Sequence, residues 1–267
     1  MLEPIKHTLD FQRIVLASVS PRRSEILHNV GLRFEVMPSL FEENLDPKKY
    51  ASHADFAVDT AYRKVLEVAD RMANDINPPD IIIGADTVVS MDGKIYGKPT
   101  NAKMAQKYLE ELSGRQHTVH TGVVIKTPTA TVKFHETCNV NMAYLSEDII
   151  RGYIRTREPL DKAGGYGVQG YGGSLIERIE GDYYAVMGLP LHSLCKHLLW
   201  LYDDRAKRLE LARTLGPEAA AVVLKDETTV RVLHGPKAKE PEMKEAERKE
   251  VKRRSRSKSR EKTAPQD

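Results

Sequence analysis

Nowhere in its 267 residues does the chain hold a run of about 18 apolar side chains, so a membrane-spanning helix is not expected. The N-terminus, MLEPIKHTLDFQRIV, has no apolar stretch ahead of its first strand-like run. It does not read as a secretion signal, and a cytoplasmic location is expected. Cysteine is scarce. Cys138 and Cys195 lie far apart, which excludes a disulfide framework and a cysteine-spaced metal site, and both read as reduced packing residues. A strong charge of one sign is absent from most of the chain. Residues 237–267 carry 12 Lys and Arg against 7 Asp and Glu, a surplus of five, whereas residues 1–236 hold 29 basic and 31 acidic residues, a balance of −2. The body of the protein therefore lacks the pervasive positive field of a nucleic-acid-binding domain.

What is present is a body rich enough in apolar residues, at 40% hydrophobic overall, to build a core of α/β type. Residues 13–17 read as a strand, followed at once by SVSPRR at 18–23. Ser20 suits a helix N-cap and Pro21 the first helical position, with Ile26, Leu27 and Val30 on one face and Gly31 at the end. Arg22 and Arg23 fall in the first turn of that helix, where basic side chains oppose the helix dipole unless an anion compensates. Residues 34–37 read as a second strand leading to Phe41, Glu42 and Glu43. Ser52 with Asp55 forms a capping box for a helix over 54–72, which carries Arg63 and Lys64.

The stretch DIIIGADTVVSMDGKIYGKP at 80–99 is central. Ile81, Ile82 and Ile83 read as a buried strand that stops at Gly84, placing Asp86 and Thr87 at a strand end, where an acid can face a ligand crevice. Asp92 and Gly93 signal a two-residue hairpin, and the returning segment delivers Lys98. A helix over 101–112, an antiparallel pair around Pro128 and a helix over 147–156 follow. His117 and His120 do not read as zinc ligands, because residues three apart on a strand face opposite sides. Glycine is dense over 164–173. The G-x-G-x-x-G match at Gly165, Gly167 and Gly170 lacks the flanking strand and helix of a dinucleotide fingerprint, so close backbone approach to a ligand, with Gln169 projecting into the gap, is the preferred reading. Residues 174–179 and 182–186 read as strands, and 190–209 as a long amphipathic helix.

Five of these stretches together resemble one family. LASVSPRRSEIL at 16–27, IIIGADTVV at 81–89, GKP at 97–99, SGRQHTVHTGV at 113–123 and EPLDKAGGYGVQGYGG at 158–173 are similar, in order and spacing from about residue 13 to residue 201, to the Maf family of nucleoside triphosphate pyrophosphatases. The resemblance implies an α/β fold with an elongated mixed β-sheet, flanked by helices and split by a central cleft (Maf/ITPase-like). It implies hydrolysis of nucleoside triphosphates to the monophosphate and pyrophosphate with Mg²⁺ or Mn²⁺. The SPRR and GADT motifs, with a Gln in the glycine-rich loop, resemble the branch acting on dTTP and UTP. Residue by residue, it points to Ser18, Arg22, Arg23, Glu43, Lys64, Asp86, Thr87, Lys98 and Gln169, with Glu42 as the alternative to Glu43.

On this reading Arg22, Lys64 and Lys98 hold phosphates, and Glu43 and Asp86 bind the metal. Asp86 also activates water, and Ser18, Arg23, Thr87 and Gln169 bind the substrate and its base. Relatives imply a homodimer. The domain is expected over 1–215, an extension over 216–236, and a disordered basic tail over 237–267 ending in RRSRSKSREK, which also suits RNA binding, phosphorylation or a nuclear address. The competing reading is an RNA-associated interaction protein that works through this tail and carries a degenerate domain. A P-loop switch is excluded, since neither Lys94 nor Lys98 is followed by Ser or Thr.

Overall fold

The computed structural model describes residues 2–214 and 232–234. Its first element, α1 (Glu3–Leu9), buries Leu9 against the core. Seven residues are too few to show a helical period, and the sequence pattern does not announce this helix. The chain continues through β1 (Ile14–Leu16), α2 (Pro21–Asn29), β2 (Glu35–Val36) and α3 (His53–Met72). Then come β3 (Ile81–Met91), β4 (Lys94–Tyr96), α4 (Ala102–Leu112), β5 (Gln116–Lys126) and β6 (Thr131–Met142). After α5 (Glu147–Arg155) the glycine-rich segment forms short 3-10 turns, and β7 (Ile176–Glu180), α6 (Tyr183–Met187), α7 (Leu191–Thr214) and β8 (Val232–His234) follow.

The sheet is mixed, as expected. Its path is β2-β1-β3-β5-β6-β7, with β4 paired to the far end of β3. The pairs β2/β1 and β1/β3 are parallel, and the rest of the path is antiparallel. On one face, odd-numbered residues of β3 and β5 bury into two separate apolar clusters. Ile81, Ile83, Ala85, Val123 and Ile125 join α1, α2 and α7; Val89, Met91 and Val119 join α4, α5 and Tyr166. Between the clusters the odd positions are Thr87 and Thr121, paired in register. On the other face, Ile82 and Val124 pack on Ala61, Val65 and Val68 of α3.

Four local expectations need correction. Asp86 and Thr87 are not at a strand end, because β3 runs unbroken for eleven residues. Gly84 is a close-packing site, not a stop: a Cβ there would meet Val65 Cγ2 at 2.3 Å. Residues 182–186 are not a strand, since the Asp182 carboxylate accepts from the backbone N–H of Tyr184 and Ala185 and caps α6. Residues 174–179 become a strand only from Ile176, after a 3-10 turn over Tyr171–Leu175.

Elsewhere the local chemistry works as read. Ser52 Oγ accepts from Asp55 N and opens α3, and Asn101 caps α4 through Met104 N. Positive φ at both Asp92 (52°) and Gly93 (74°) makes the turn of the β3–β4 hairpin type I′. Cys138 and Cys195 are free and buried. Among the described residues no helix is long and apolar enough to cross a membrane. The extension over 216–236, apart from 232–234, and the tail over 237–267 lie outside the described residues.

Candidate active site

A cleft of about 600 Å³ opens where the two apolar clusters part, within the range that holds a small ligand. The β1–α2 turn supplies Ser18, the first turn of α2 supplies Arg22 and Arg23, and the segment before α3 supplies Phe41 and Glu43. α3 adds Phe56 and Lys64, the middle of β3 adds Asp86 and Thr87, the β4–α4 connection adds Lys98, and the glycine-rich segment adds Asp161 and Tyr166.

At its centre one ammonium bridges two acids. Lys64 Nζ lies 2.8 Å from Asp86 Oδ1 and 2.8 Å from Glu43 Oε1. Lys64 and Asp86 are nearly shielded from solvent, each with 13% of the side chain exposed, while Glu43 stands at the mouth at 57%. Burial pushes the Asp86 carboxyl above its ordinary value, against the pull of the Lys64 and Arg23 cations. Asp86 is thus a more basic carboxylate than a solvated Asp, held by a partner that fixes its orientation.

The two arginines of α2 differ. Arg23 is tied down: Nε donates to the Gly188 carbonyl at 2.8 Å, Nη1 to Ser18 Oγ at 3.0 Å and Nη2 to Thr87 Oγ1 at 3.1 Å. Arg22 makes no ion pair among the described residues. Burial draws its guanidinium below the ordinary value, opposed by Asp161, Tyr153 and Glu158, yet it stays cationic at any physiological pH. Lys98 is exposed and likewise without an ion pair among the described residues. Two uncommitted cations thus line the same cleft as the bridged acids.

Ser20 occupies the N-cap position of α2 without a side-chain hydrogen bond; its own N–H instead donates to Ser18 Oγ at 3.2 Å. Eight of the nine residues expected at the site are therefore brought together. Gln169 is not: it is exposed and does not line the cleft, where the same segment presents Asp161, Ala163 and Tyr166 instead. The cause is the anchoring of that segment. Glu158 accepts from Tyr171 N, Gly172 N and the Tyr153 hydroxyl, and the Tyr153 hydroxyl accepts from Gly167 N. This folds the glycines onto the carboxylate; a Cβ at Gly170 would lie 2.4 Å from Glu158 Oε2. Glu42 does not line the cleft, and Glu43 does.

Sequence reasoning also missed Tyr166 and Thr121. Tyr166 is buried, and its hydroxyl bonds His117 Nε2 at 2.7 Å. His120 bonds Ser90 and Thr137 instead. Thr121 is a polar residue at an inward position between Val119 and Val123, and that break in the alternation is the signal that could have found it.

A mixed sheet whose central strand sets Asp86 against Lys64 of α3, with Glu43 of the preceding segment on the same ammonium, in a cation-lined cleft, defines a small-molecule enzyme of the α/β class. Residues 13–201 match the family described as Maf-like protein, and the chain belongs to that family. A protein of Homo sapiens named "Probable bifunctional dTTP/UTP pyrophosphatase/methyltransferase protein" is 46% identical over 211 residues; the match covers 76% of this chain and 34% of that longer protein. A "dTTP/UTP pyrophosphatase" of Bacillus cereus is 41% identical over 198 residues, covering 74% of this chain and 94% of the relative, and one of Bacillus anthracis is 42% identical over 187 residues, covering 70% and 94%. Among solved structures, the Staphylococcus aureus Ham1 protein aligns at 17% identity and a TM-score of 0.34, over 62% of this chain and 80% of that one.

Proposed function

We propose that the chain is a nucleoside triphosphate pyrophosphatase that hydrolyses dTTP and UTP to the monophosphate and pyrophosphate. The observation that carries this is the Glu43–Lys64–Asp86 bridge in one cleft with Arg22 and Lys98, neither of them ion-paired among the described residues. The relatives named for dTTP and UTP support the choice of substrate.

Charge decides what the cleft can take. Arg22, Arg23, Lys64 and Lys98 against Glu43 and Asp86 leave a local balance of +2, Asp161 being paired with Lys162 at 2.5 Å. A triphosphate brings about four negative charges, and the remainder of about −2 is what a divalent cation cancels. The donor set fits that cation. Glu43 and Asp86 turn carboxylate oxygens toward one point, now spanned by the Lys64 ammonium, and two hard carboxylates completed by water and phosphate oxygens suit Mg²⁺ or Mn²⁺. Glu43 and Asp86 would hold the ion, which supplies charge neutralisation at the phosphoryl oxygens.

The chain's own residues do the rest. Arg22 and Lys98 clamp the phosphates from opposite segments and fix the in-line geometry. Asp86, raised in basicity by burial, accepts the proton of a water attacking the α-phosphorus, and Lys64 holds the carboxylate oriented while it does so. The bond from the α-phosphorus to the bridging oxygen breaks, and pyrophosphate leaves into the field of Arg22 and Lys98. Ser18, Arg23 and Thr87 face the base, without Gln169 unless its segment rearranges on binding.

The same reading assigns the reaction to residues 1–215, an extension to 216–236 and a tail to 237–267, in a cytoplasmic homodimer. It is tested by pyrophosphate release from a panel of nucleoside triphosphates with Mg²⁺, with Mn²⁺ and with a chelator. Preference for dTTP and UTP, lost with the chelator, is the expected result. A folded protein with flat, background rates on every nucleotide would sink the reading and favour the tail-centred alternative.

A further inference from the structure

Two acids at the start of the glycine-rich segment, Glu158 and Asp161, act by charge on the Arg22 guanidinium. Glu158 is committed elsewhere, its carboxylate accepting from the N–H groups of Tyr171 and Gly172 and from the Tyr153 hydroxyl. Asp161 is different. Its side chain is 71% exposed, and it lines the cleft together with Arg22, which makes no ion pair among the described residues. An exposed acid and an uncommitted cation in one cleft attract each other, and here they do not meet.

What holds Asp161 is its neighbour. Lys162 Nζ lies 2.5 Å from Asp161 Oδ1 and donates to the Glu158 carbonyl at 2.8 Å. Only 11% of the lysine side chain is exposed, and it does not line the cleft. The glycine-rich segment lies across its stem: a Cβ at Gly167 would meet Lys162 Cε at 2.6 Å and Cδ at 2.7 Å. A lysine ordered in advance by packing and by a backbone acceptor gives up little rotamer freedom in forming the pair, which favours it over Arg22 as the partner of Asp161.

We propose that Lys162 is a positioning residue that keeps Arg22 free for the phosphates: by holding the Asp161 carboxylate, it withholds from Arg22 the acid that would otherwise pair with it. Lys162 touches no substrate in this scheme. It acts through Asp161, and the inference rests on the reading of Arg22 as a phosphate clamp.

The test is Lys162→Met, which keeps the stem, removes the charge and leaves Asp161 to Arg22. Substrate must then displace Asp161 before Arg22 can take a phosphate. KM for UTP is expected to rise about fivefold with kcat within about twofold, as when Arg22 is occupied about four-fifths of the time. Adding Asp161→Asn removes the competitor and is expected to return KM to within about twofold of the natural protein. An unchanged KM in Lys162→Met overturns the proposal. So does a double variant that stays impaired, since a lysine that touched the phosphates itself, or merely supported the fold, could not be made dispensable by losing an acid. Should Lys162→Met not fold, Lys162→Gln, whose amide can still donate to the Glu158 carbonyl, is read by the same criteria; failure of both to fold makes Lys162 a purely structural residue and also overturns the proposal. A natural protein with no turnover on any triphosphate strikes the pyrophosphatase reading instead. Calorimetric binding of inorganic pyrophosphate then decides by the same order: weakened in Lys162→Met and regained in the double variant supports the proposal, and any other order overturns it.

Discussion

Asp86 must be basic enough to take a proton and yet remain ionised. Burial and the Lys64 ammonium pull its carboxyl in opposite directions, and the pair reaches both ends only together. Asp86→Asn keeps an acceptor for Lys64 but removes the negative charge and the proton acceptor. Turnover is expected to drop by at least about a hundredfold with the thermal midpoint little changed, as read by pyrophosphate release and a melting curve. A near-normal rate would remove Asp86 from its assigned part. A second residue carries a stability consequence. Burial pulls the His117 imidazole down from 6.5 to about 4. The folded form therefore stays neutral while the unfolded chain takes up a proton below 6.5. Stabilisation present above pH 6.5 is lost as pH falls toward 4, by on the order of 3 kcal/mol. His117→Gln, which can still bond the Tyr166 hydroxyl but cannot titrate, is expected to show a flatter fall of the urea midpoint between those pH values. Parallel profiles would contradict this.

At the level of elements, the site depends on how closely α3 lies on the sheet. A Cβ at Gly122 would meet Val58 N at 2.4 Å and the Ala57 carbonyl carbon at 2.5 Å, backbone atoms that cannot turn aside. Gly122→Ala forces α3 outward and is expected to cost about 1–3 kcal/mol. Because α3 carries Lys64, turnover measured well below the melting temperature should fall as well; an unaltered rate would show that the helix can retreat without opening the bridge to Asp86. The same contact explains part of what the sequence could and could not tell. The α3 capping box, the type I′ hairpin and the start of α2 at Pro21 are local chemistry and were legible. Gly84 was misread as the end of a strand because what it answers to is Val65, nineteen residues earlier in the chain. Residues 182–186 alternate too little to betray α6, whose decisive feature is the Asp182 cap. No periodicity joins Ser18, Glu43, Lys64, Asp86 and Lys98; the family resemblance gathered them, and it carried Gln169 along to a position this loop, held by Glu158, does not present to the cleft.

For the whole molecule, the described cleft wall is complete between Ala17 and Met187, and the family match ends at residue 201. The basic surplus of 237–267 is thus remote in sequence from every residue given a part in the reaction. A chain ending at residue 236 is expected to hydrolyse UTP with kcat/KM within about twofold of the full chain. A loss of tenfold or more would place part of the machinery in the tail and revive the reading in which the tail is the working part.

β3 feeds side chains to both apolar clusters on one face and to α3 on the other, with Asp86 and Thr87 midway along it. A nucleotide groove founded on a beam common to two halves has no private foundation: neither half can melt and leave the groove standing. Loss of activity on heating and loss of tertiary structure should then trace one curve, and a bound nucleotide should brace the protein as a whole and not one flank of it.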